Sequence, residues 1–595
     1  CEARAVVEPG ASSDAEGATM LVFFPTLLIV ALAAGESPAG DGQCVEGDTT
    51  DPTCSSPDRA AGLDTAACCQ RLGVCEQKAL SMRLLQAAAE VPSRSPPRPT
   101  AIAAPAIAGT PLADGLRALL TRDQEDESLP FLVSTGHSPA NLTLTGVDDG
   151  DLSALAELLA RVPKLHTLSL PSHALSLLGA GALAATVRDA APQLERLKLG
   201  EYELPLAPLR PAAKSASLAL RGKSLSLHDL VVVTAFLHGG GGAELESLDL
   251  SNNKELGPSA GAVVADGLLG GAAPALRKLH LDATSLGDAG AAALAAAFRA
   301  GGAPRLTELS LASNGLSAVG VAALSSCLGD TSLAALELLD LSVNDMGVAG
   351  AGALALGLRA APPGSLALRS LRLDEVAFNS RAAAVLTAAL PAARAGAPAL
   401  HRLSLLRNRF DADTAQQVAA ATEGWTDRRL CGELLEAQRK KHALNLAHKR
   451  LSDADAILVA ASLRDAPDLG ATRHLWLHNN GFGDRGLHAL LPLITSSMSA
   501  LTHLSLNDNE LGDAGGASAV EQILVSGAIP LVEEFWLSGN QLAARAAHSL
   551  TKALNGGAGP KLRNLWLRDN PLFGVADRDA LTVVCKGRKV FCQLS

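Results

Sequence analysis

The short pattern Leu-x-x-Leu-x-Leu returns along this chain at nearly constant intervals, and it limits the accessible folds more than any other feature. Clear copies begin at Leu245 (LESLDL), Leu276, Leu306, Leu336, Leu368, Leu400, Leu501 and Leu562. Weaker ones begin at Leu165, Leu194, Ser215, Lys441, Thr472 and Val532, which makes fourteen, and a degenerate copy precedes them near Asn141 to Leu144. Successive starts lie 29 to 32 residues apart, except for 21 after Leu194 and 41 after Leu400. A period of this length marks a stack of small units, each completing its apolar core against its neighbours. One unit cannot fold alone, because its few buried aliphatic side chains do not offset the entropy of ordering the segment.

The residues of one unit predict its shape. In LTHLSLNDNEL, Leu504 and Leu506 alternate with Ser505, so the segment reads as a short strand with Ser505 exposed. Asn509 falls where the chain turns, and its amide is suited to backbone groups that the turn leaves unpaired. Asn253, Asn314, Asn344, Asn408, Asn480, Asn540 and Asn570 hold the same position, with Thr284, Val376 and Lys449 replacing it elsewhere. We read this ladder as structural. Stretches such as Leu286 to Phe298 (LGDAGAAALAAAF) predict helices whose small residues allow close approach, with Leu294 and Phe298 facing inward. Composition agrees: hydrophobic residues make up 48% of the chain but aromatics only 3%, as expected for thin uniform layers.

These motifs resemble the leucine-rich-repeat family, in particular its ribonuclease-inhibitor-like subtype, over roughly residues 140–572. The resemblance implies an α/β horseshoe solenoid with parallel strands on the concave face and full helices on the convex face. It also implies a non-catalytic scaffold that binds a protein through the concave face. Regulators of small GTPases of the Ran GTPase-activating kind use the same repeat subtype, as do the repeat regions of nucleotide-binding innate immune receptors. The chain carries no motif of the former, and no P-loop precedes its repeats as the latter requires.

Outside the repeats the chain divides by composition. Residues 1–34 read as upstream sequence and a signal peptide, since Leu21 to Ala34 is apolar, ends in small residues and is too short for a stable membrane span. Residues 35–90 hold Cys44, Cys54, Cys68, Cys69 and Cys75; residues 91–111 form a Pro-rich linker. Residues 112–164 read as an N-terminal cap with the degenerate repeat, 165–572 as the array, and 573–595 as a C-terminal cap. There Cys585 and Cys592 are spaced to staple a hairpin around Lys586-Gly587-Arg588 if the chain is secreted. A secreted or endomembrane location is expected, with the cytoplasm as the alternative. Asn141-Leu142-Thr143 is a glycosylation sequon for that case. The lengthened interval from Asp411 to Lys441, with Trp425 and Cys431, predicts an extra or extended helix projecting from the array.

No constellation for catalysis emerges. Arg221-Gly222-Lys223-Ser224 ends like a P-loop, but Ser217 occupies the place of the upstream glycine and the stretch falls within a repeat. Gly239 to Gly242 reads as a flexible loop, and the paired C-x2-C spacing of a zinc site is absent. We expect no enzyme activity, cofactor or metal. A net charge of −11 without a long basic run argues against a nucleic-acid partner.

The informative surface is the strand face of the last repeats. It presents Arg473, His474, Trp476 and His478; His503, Ser505 and Asn507; Glu533, Glu534 and Trp536; then Arg563, Trp566 and Arg568. Three of the four tryptophans take the same strand position, where flanking leucines direct them outward. Tryptophan with Arg and Glu nearby is the composition of a protein-binding hot spot. The alternative is that the rings stack on their neighbours and merely cover the sheet.

Overall fold

A computed structural model describes residues 139–594, apart from 211–215, 270–272, 426–429, 432–438, 441, 465, 467–468, 526–529 and 571–573. The leader, the cysteine segment, the linker and most of the N-terminal cap lie outside the described residues. The chain divides into two compact units, and all described residues belong to the one that contains Gly109–Ser595.

This unit is an α/β solenoid of strand–helix repeats. A first sheet runs β1 (Asn141–Thr143), β2 (Thr167–Ser169), β3 (Arg196–Lys198) and β4 (Glu203–Pro205). A second holds β5 (Ser217–Ala219), β6 (Ser247–Asp249), β7 (Lys278–His280), β8 (Glu308–Ser310), β9 (Leu338–Asp340), β10 (Ser370–Arg372) and β11 (Arg402–Ser404). The third holds β12 (Arg439–Lys440), β13 (Ala443–Asn445), β14 (His474–Trp476), β15 (His503–Ser505), β16 (Glu534–Trp536), β17 (Asn564–Trp566) and β18 (Phe591–Gln593). Paired strands are parallel throughout, except β3 with β4 and β12 with β13. The helices are α1 (Leu152–Arg161), α2 (Leu177–Ala190), α3 (Leu227–Phe236), α4 (Ser259–Leu269), α5 (Gly287–Arg299), α6 (Ala318–Gly329) and α7 (Gly347–Ala360). After them come α8 (Ser380–Gly396), α9 (Ala412–Ala421), α10 (Asp453–Leu463), α11 (Asp484–Pro492), α12 (Gly515–Val525), α13 (Ala544–Asn555) and α14 (Val575–Arg588).

Register follows from the leucines. Leu248, Leu279, Leu309, Leu339, Leu371 and Leu403 pair strand to strand and are all buried, so one core runs beneath the sheet. Each helix packs on the next along the whole unit. Close approach needs small residues: a Cβ on Gly261 would lie 2.4 Å from the Gly290 Cα of the neighbouring helix.

The asparagine ladder closes each turn. Asn344 Nδ2 donates to Leu311 O (3.0 Å) and Leu341 O (2.8 Å), while its Oδ1 accepts from Asn314 N (3.0 Å) and Leu316 N (3.0 Å). Asn253, Asn314, Asn408 and Asn480 tie neighbouring turns in the same way. Asn509, Asn540 and Asn570 donate to the equivalent carbonyls, those of Leu477, Leu506 and Leu537. Where threonine replaces asparagine, Thr284 Oγ1 donates to Leu281 O and its backbone N–H is taken up by Asn314.

The two irregular intervals are seams in the sheet. At the short one, the described residues between β3 and β5 form no α-helix; they hold the antiparallel β4 and a single 3-10 turn at Ala207–Leu209. The glycine run read as a flexible loop is instead an ordered turn, Leu237–Gly241, continuing α3. Gly240 has φ +96°, and a Cβ on Gly241 would meet Leu209 O at 1.8 Å, so the backbone fits against the seam only without side chains.

At the long interval, β11 and β13 are not paired. Leu405 N donates to Leu430 O (3.4 Å), and Arg407 N donates to Asp455 Oδ1 (2.7 Å) at the start of α10. The described part of the insertion turns inward rather than projecting. Helix α9 lies in the helix layer, and Trp425, Leu430 and Cys431 are buried, with the Arg394 guanidinium 5.6 Å from the Trp425 ring. An apolar ring and thiol gain more from filling the gap in the core than from exposure. Beside them, burial pushes the Asp374 carboxyl up to about 6, although Ser404 Oγ (2.5 Å) and Leu406 N (2.7 Å) donate to it.

The C-terminal segment is not a hairpin. Residues 575–588 form α14, Lys589 turns in the left-handed region (φ +57°), and β18 adds to β17 in parallel. Arg588 anchors the turn by donating to the carbonyls of Leu554, Ala558 and Gly559 (2.7–3.0 Å). The segment therefore adds another helix and strand to the array. Cys585 and Cys592 are both thiols, close enough for Cys592 to lower the pKa of Cys585.

Candidate recognition face

Strands β14 to β17 align the residues singled out on the strand face. One row reads His474, His503, Glu534, Asn564; the next reads Trp476, Ser505, Trp536, Trp566. Between them Leu475, Leu504, Phe535 and Leu565 point into the core, which directs both rows outward.

Serine at the middle of the second row decides the geometry. Its small side chain leaves a gap, and the Trp476 and Trp536 rings lean over it from either side, 5.4 Å apart. Residues two strands apart would otherwise sit about 9–10 Å apart. Ser505 is consequently only 3% exposed, which corrects its reading as a surface residue. Both tryptophans are half-buried rather than fully outward. Trp566 packs against Phe591 on its far side at 5.5 Å. Its Nε1–H is buried without a hydrogen-bond partner, as is Gln593 Oε1 opposite.

Imidazoles extend the ring cluster. His474 and His503 lie 4.6 Å apart, His503 stacks on Trp536 at 5.8 Å, and His474 stacks on Trp476 at 6.0 Å. His478 lies edge-on to both Trp476 (6.1 Å) and His448 (5.1 Å). Burial, followed by the neighbouring imidazole, lowers the pKa of His474 and of His478, which disfavours their charged forms. His478 Nδ1 hydrogen-bonds Ser505 Oγ (3.2 Å), and His503 Nδ1 hydrogen-bonds Thr502 Oγ1 (2.8 Å).

Charged side chains rim the cluster. Arg473, Arg563 and Arg568 are exposed. Arg563 pairs with Glu533 at 3.3 Å, and Glu534 accepts from Asn564 Nδ2 at 3.2 Å. Such exposed pairs contribute little to stability and leave the rim available for polar contacts. Sequence reading missed His448 and Phe591. His448 belongs to a repeat whose ladder position is Lys449, and Phe591 lies beyond the last recognisable motif, so neither carried a periodic signal.

The remaining sequence features lie elsewhere. Asn141 is exposed on the edge strand β1. Lys223 sits 5.5 Å from the Tyr202 ring, in the turn after β5. Among the described residues no group of three His, Cys, Asp or Glu is arranged to hold a metal ion, and no helix is long and apolar enough to cross a membrane.

A model of the Leucine Rich repeat family matches residues 304–325 and 498–518. Both segments carry the strand and ladder geometry described above. Those two segments are leucine-rich repeats, and the same strand–helix unit recurs along the solenoid. No curated protein matches it in sequence. Among solved structures it is similar to the yeast Rad7 and Elc1 complex, at 15% identity over 72% of this chain and 82% of that chain, with a TM-score of 0.28. It is similar to an internalin (inlF) from Listeria monocytogenes, at 13% identity over 82% and 89%, with a TM-score of 0.19. Similarity to the chain in a TLR13-ssRNA13 complex covers 78% of this chain and 57% of that chain, at 17% identity and a TM-score of 0.23.

Proposed function

We propose that this leucine-rich-repeat array is a non-catalytic scaffold of the ribonuclease-inhibitor-like kind, and that it recognises a protein through the strand face of β14 to β17. The observation that carries the reading is the half-exposed cluster of Trp476, Trp536, His474 and His503, ringed by Arg473, Glu533, Glu534, Arg563, Trp566 and Arg568. Rings already held by their neighbours lose little further entropy on binding, and an apolar centre with a polar rim is the usual anatomy of a protein interface. The subtype is supported by the return segments, which are full helices such as α5 and α6 rather than short connectors.

Proteins captured on the full-length chain at pH 7.5 are to be identified and titrated against Trp476→Ala/Trp536→Ala. Loss of hot-spot rings should weaken the complex at least about tenfold, or about 1.4 kcal/mol, with the thermal unfolding midpoint unchanged. Equal affinity, or unfolding of the variant, defeats the reading.

A further inference from the structure

The cluster concentrates groups that gain charge together. His448, His474, His478 and His503 are four of the fourteen histidines in the chain, and they form two close pairs, at 5.1 Å and 4.6 Å between ring centroids. Each pair touches Trp476, and the second also touches Trp536. Imidazole is the side chain that ordinarily changes charge between pH 5 and 8.

The surrounding charges do not cancel the change. Beside His474 stand Arg473, just before β14, and His503 on β15. Opposite His503 on β16 is Glu534, already engaged by Asn564. Around His478 stand His448, in the turn after β13, and Asp508, in the turn after β15. The His474–His503 pair thus gains positive charge next to an arginine, with one carboxylate against it. Like charges at these separations repel, and charged imidazoles favour water over a ring stack.

Building on the recognition reading above, we propose that acidification gates this surface: the stacked floor of Trp476, Trp536 and the imidazoles packed on them is apolar at neutral pH and gains positive charge as the solution is acidified. A protein that rests apolar side chains on the neutral rings is held at neutral pH and released on acidification. Burial of His474 and His478, followed by the neighbouring imidazoles, opposes their charging, which keeps the rings apolar at neutral pH and moves release toward lower pH.

Collisional quenching of tryptophan emission by iodide and by caesium tests the gate without a partner, since the two ions report the sign of charge beside the rings. The full-length chain carrying Trp566→Phe leaves Trp476 and Trp536 as the accessible emitters, Trp425 being buried. Between pH 7.5 and 5.5 the iodide constant should rise at least twofold while the caesium constant falls, and His474→Gln/His503→Gln should remove at least half of that change. Constants that do not move, constants that rise together because the structure opens, or a double variant that titrates like its parent would each overturn the gate. None of those results touches the loss of affinity expected of the tryptophan variants at pH 7.5, so the two readings fail separately.

Discussion

Asn344 shows how much one side chain carries in a stack. It is buried, and its amide donates to three carbonyls, those of Leu311, Leu341 and Ser342, and accepts from two N–H groups. Alanine would leave those backbone groups without partners where water cannot replace them, at about 1–3 kcal/mol for each group left unsatisfied. Asn344→Ala should therefore cost about 3–5 kcal/mol after partial relaxation, read as a lower urea midpoint with the slope unchanged. This ladder was legible in the sequence, because only a side chain with both donor and acceptor serves both sides of the turn. The residue before it was not legible. Ala283, Ser313, Val343, Glu375 and Arg407 all adopt left-handed φ between +51° and +59° at that place. Other repeats place Gly222, Asn252, Asn479, Asp508, Gly539 or Asp569 there, types that favour this region, but in the five named first the turn imposes it on residues that do not announce it.

At the scale of elements, the segment after β17 departs most from what its residues suggested. Two cysteines seven positions apart suggested a hairpin, yet α14 runs to Arg588 and β18 extends the sheet. The sulfur pair survives the change of fold, because the left-handed turn at Lys589 folds Cys592 back onto the last turn of the helix. The Cys592 S–H and the nearby Arg588 lower the pKa of the Cys585 thiol, which favours thiolate attack. With glutathione disulfide as oxidant, the pair should close to a disulfide, each closure losing two electrons and two protons and yielding two glutathione thiols. Peptide mapping should then find Cys585 linked to Cys592. Cys327 and Cys431 should remain reduced, since both are buried and burial pushes their thiols up, that of Cys327 to about 11. Mixed disulfides on Cys592 alone would count against closure.

At the scale of the whole molecule, among the described residues the helix layer is continuous while the sheet breaks twice, after β4 and after β11. Nearest-neighbour coupling in a solenoid runs through both layers, so each seam is a place of weaker coupling. The second seam separates β14 to β17, with their three tryptophans, from the repeats before it. Urea unfolding followed by tryptophan emission should therefore not coincide with unfolding followed by helical circular dichroism, the midpoints differing by at least about 0.5 M against slopes of 1–3 kcal/mol/M. Coincident curves would mean that the helix layer and the Arg407–Asp455 hydrogen bond couple the blocks fully.

By itself the sequence determined the repeat, its period, the buried leucines, the ladder and the location of both seams, because each rests on spacing along the chain and the solenoid turns spacing directly into register. The interval of 21 residues has no room for a helix, and the interval of 41 has more chain than one repeat uses. Only the tertiary structure decided what fills the second seam, where Trp425 went, and how the tryptophans of β14 and β16 meet. Those outcomes depend on volumes left between elements distant in sequence. Ser505 became buried not through its own polarity but because it is small where two large rings flank it, a relation that exists only once three strands stand side by side.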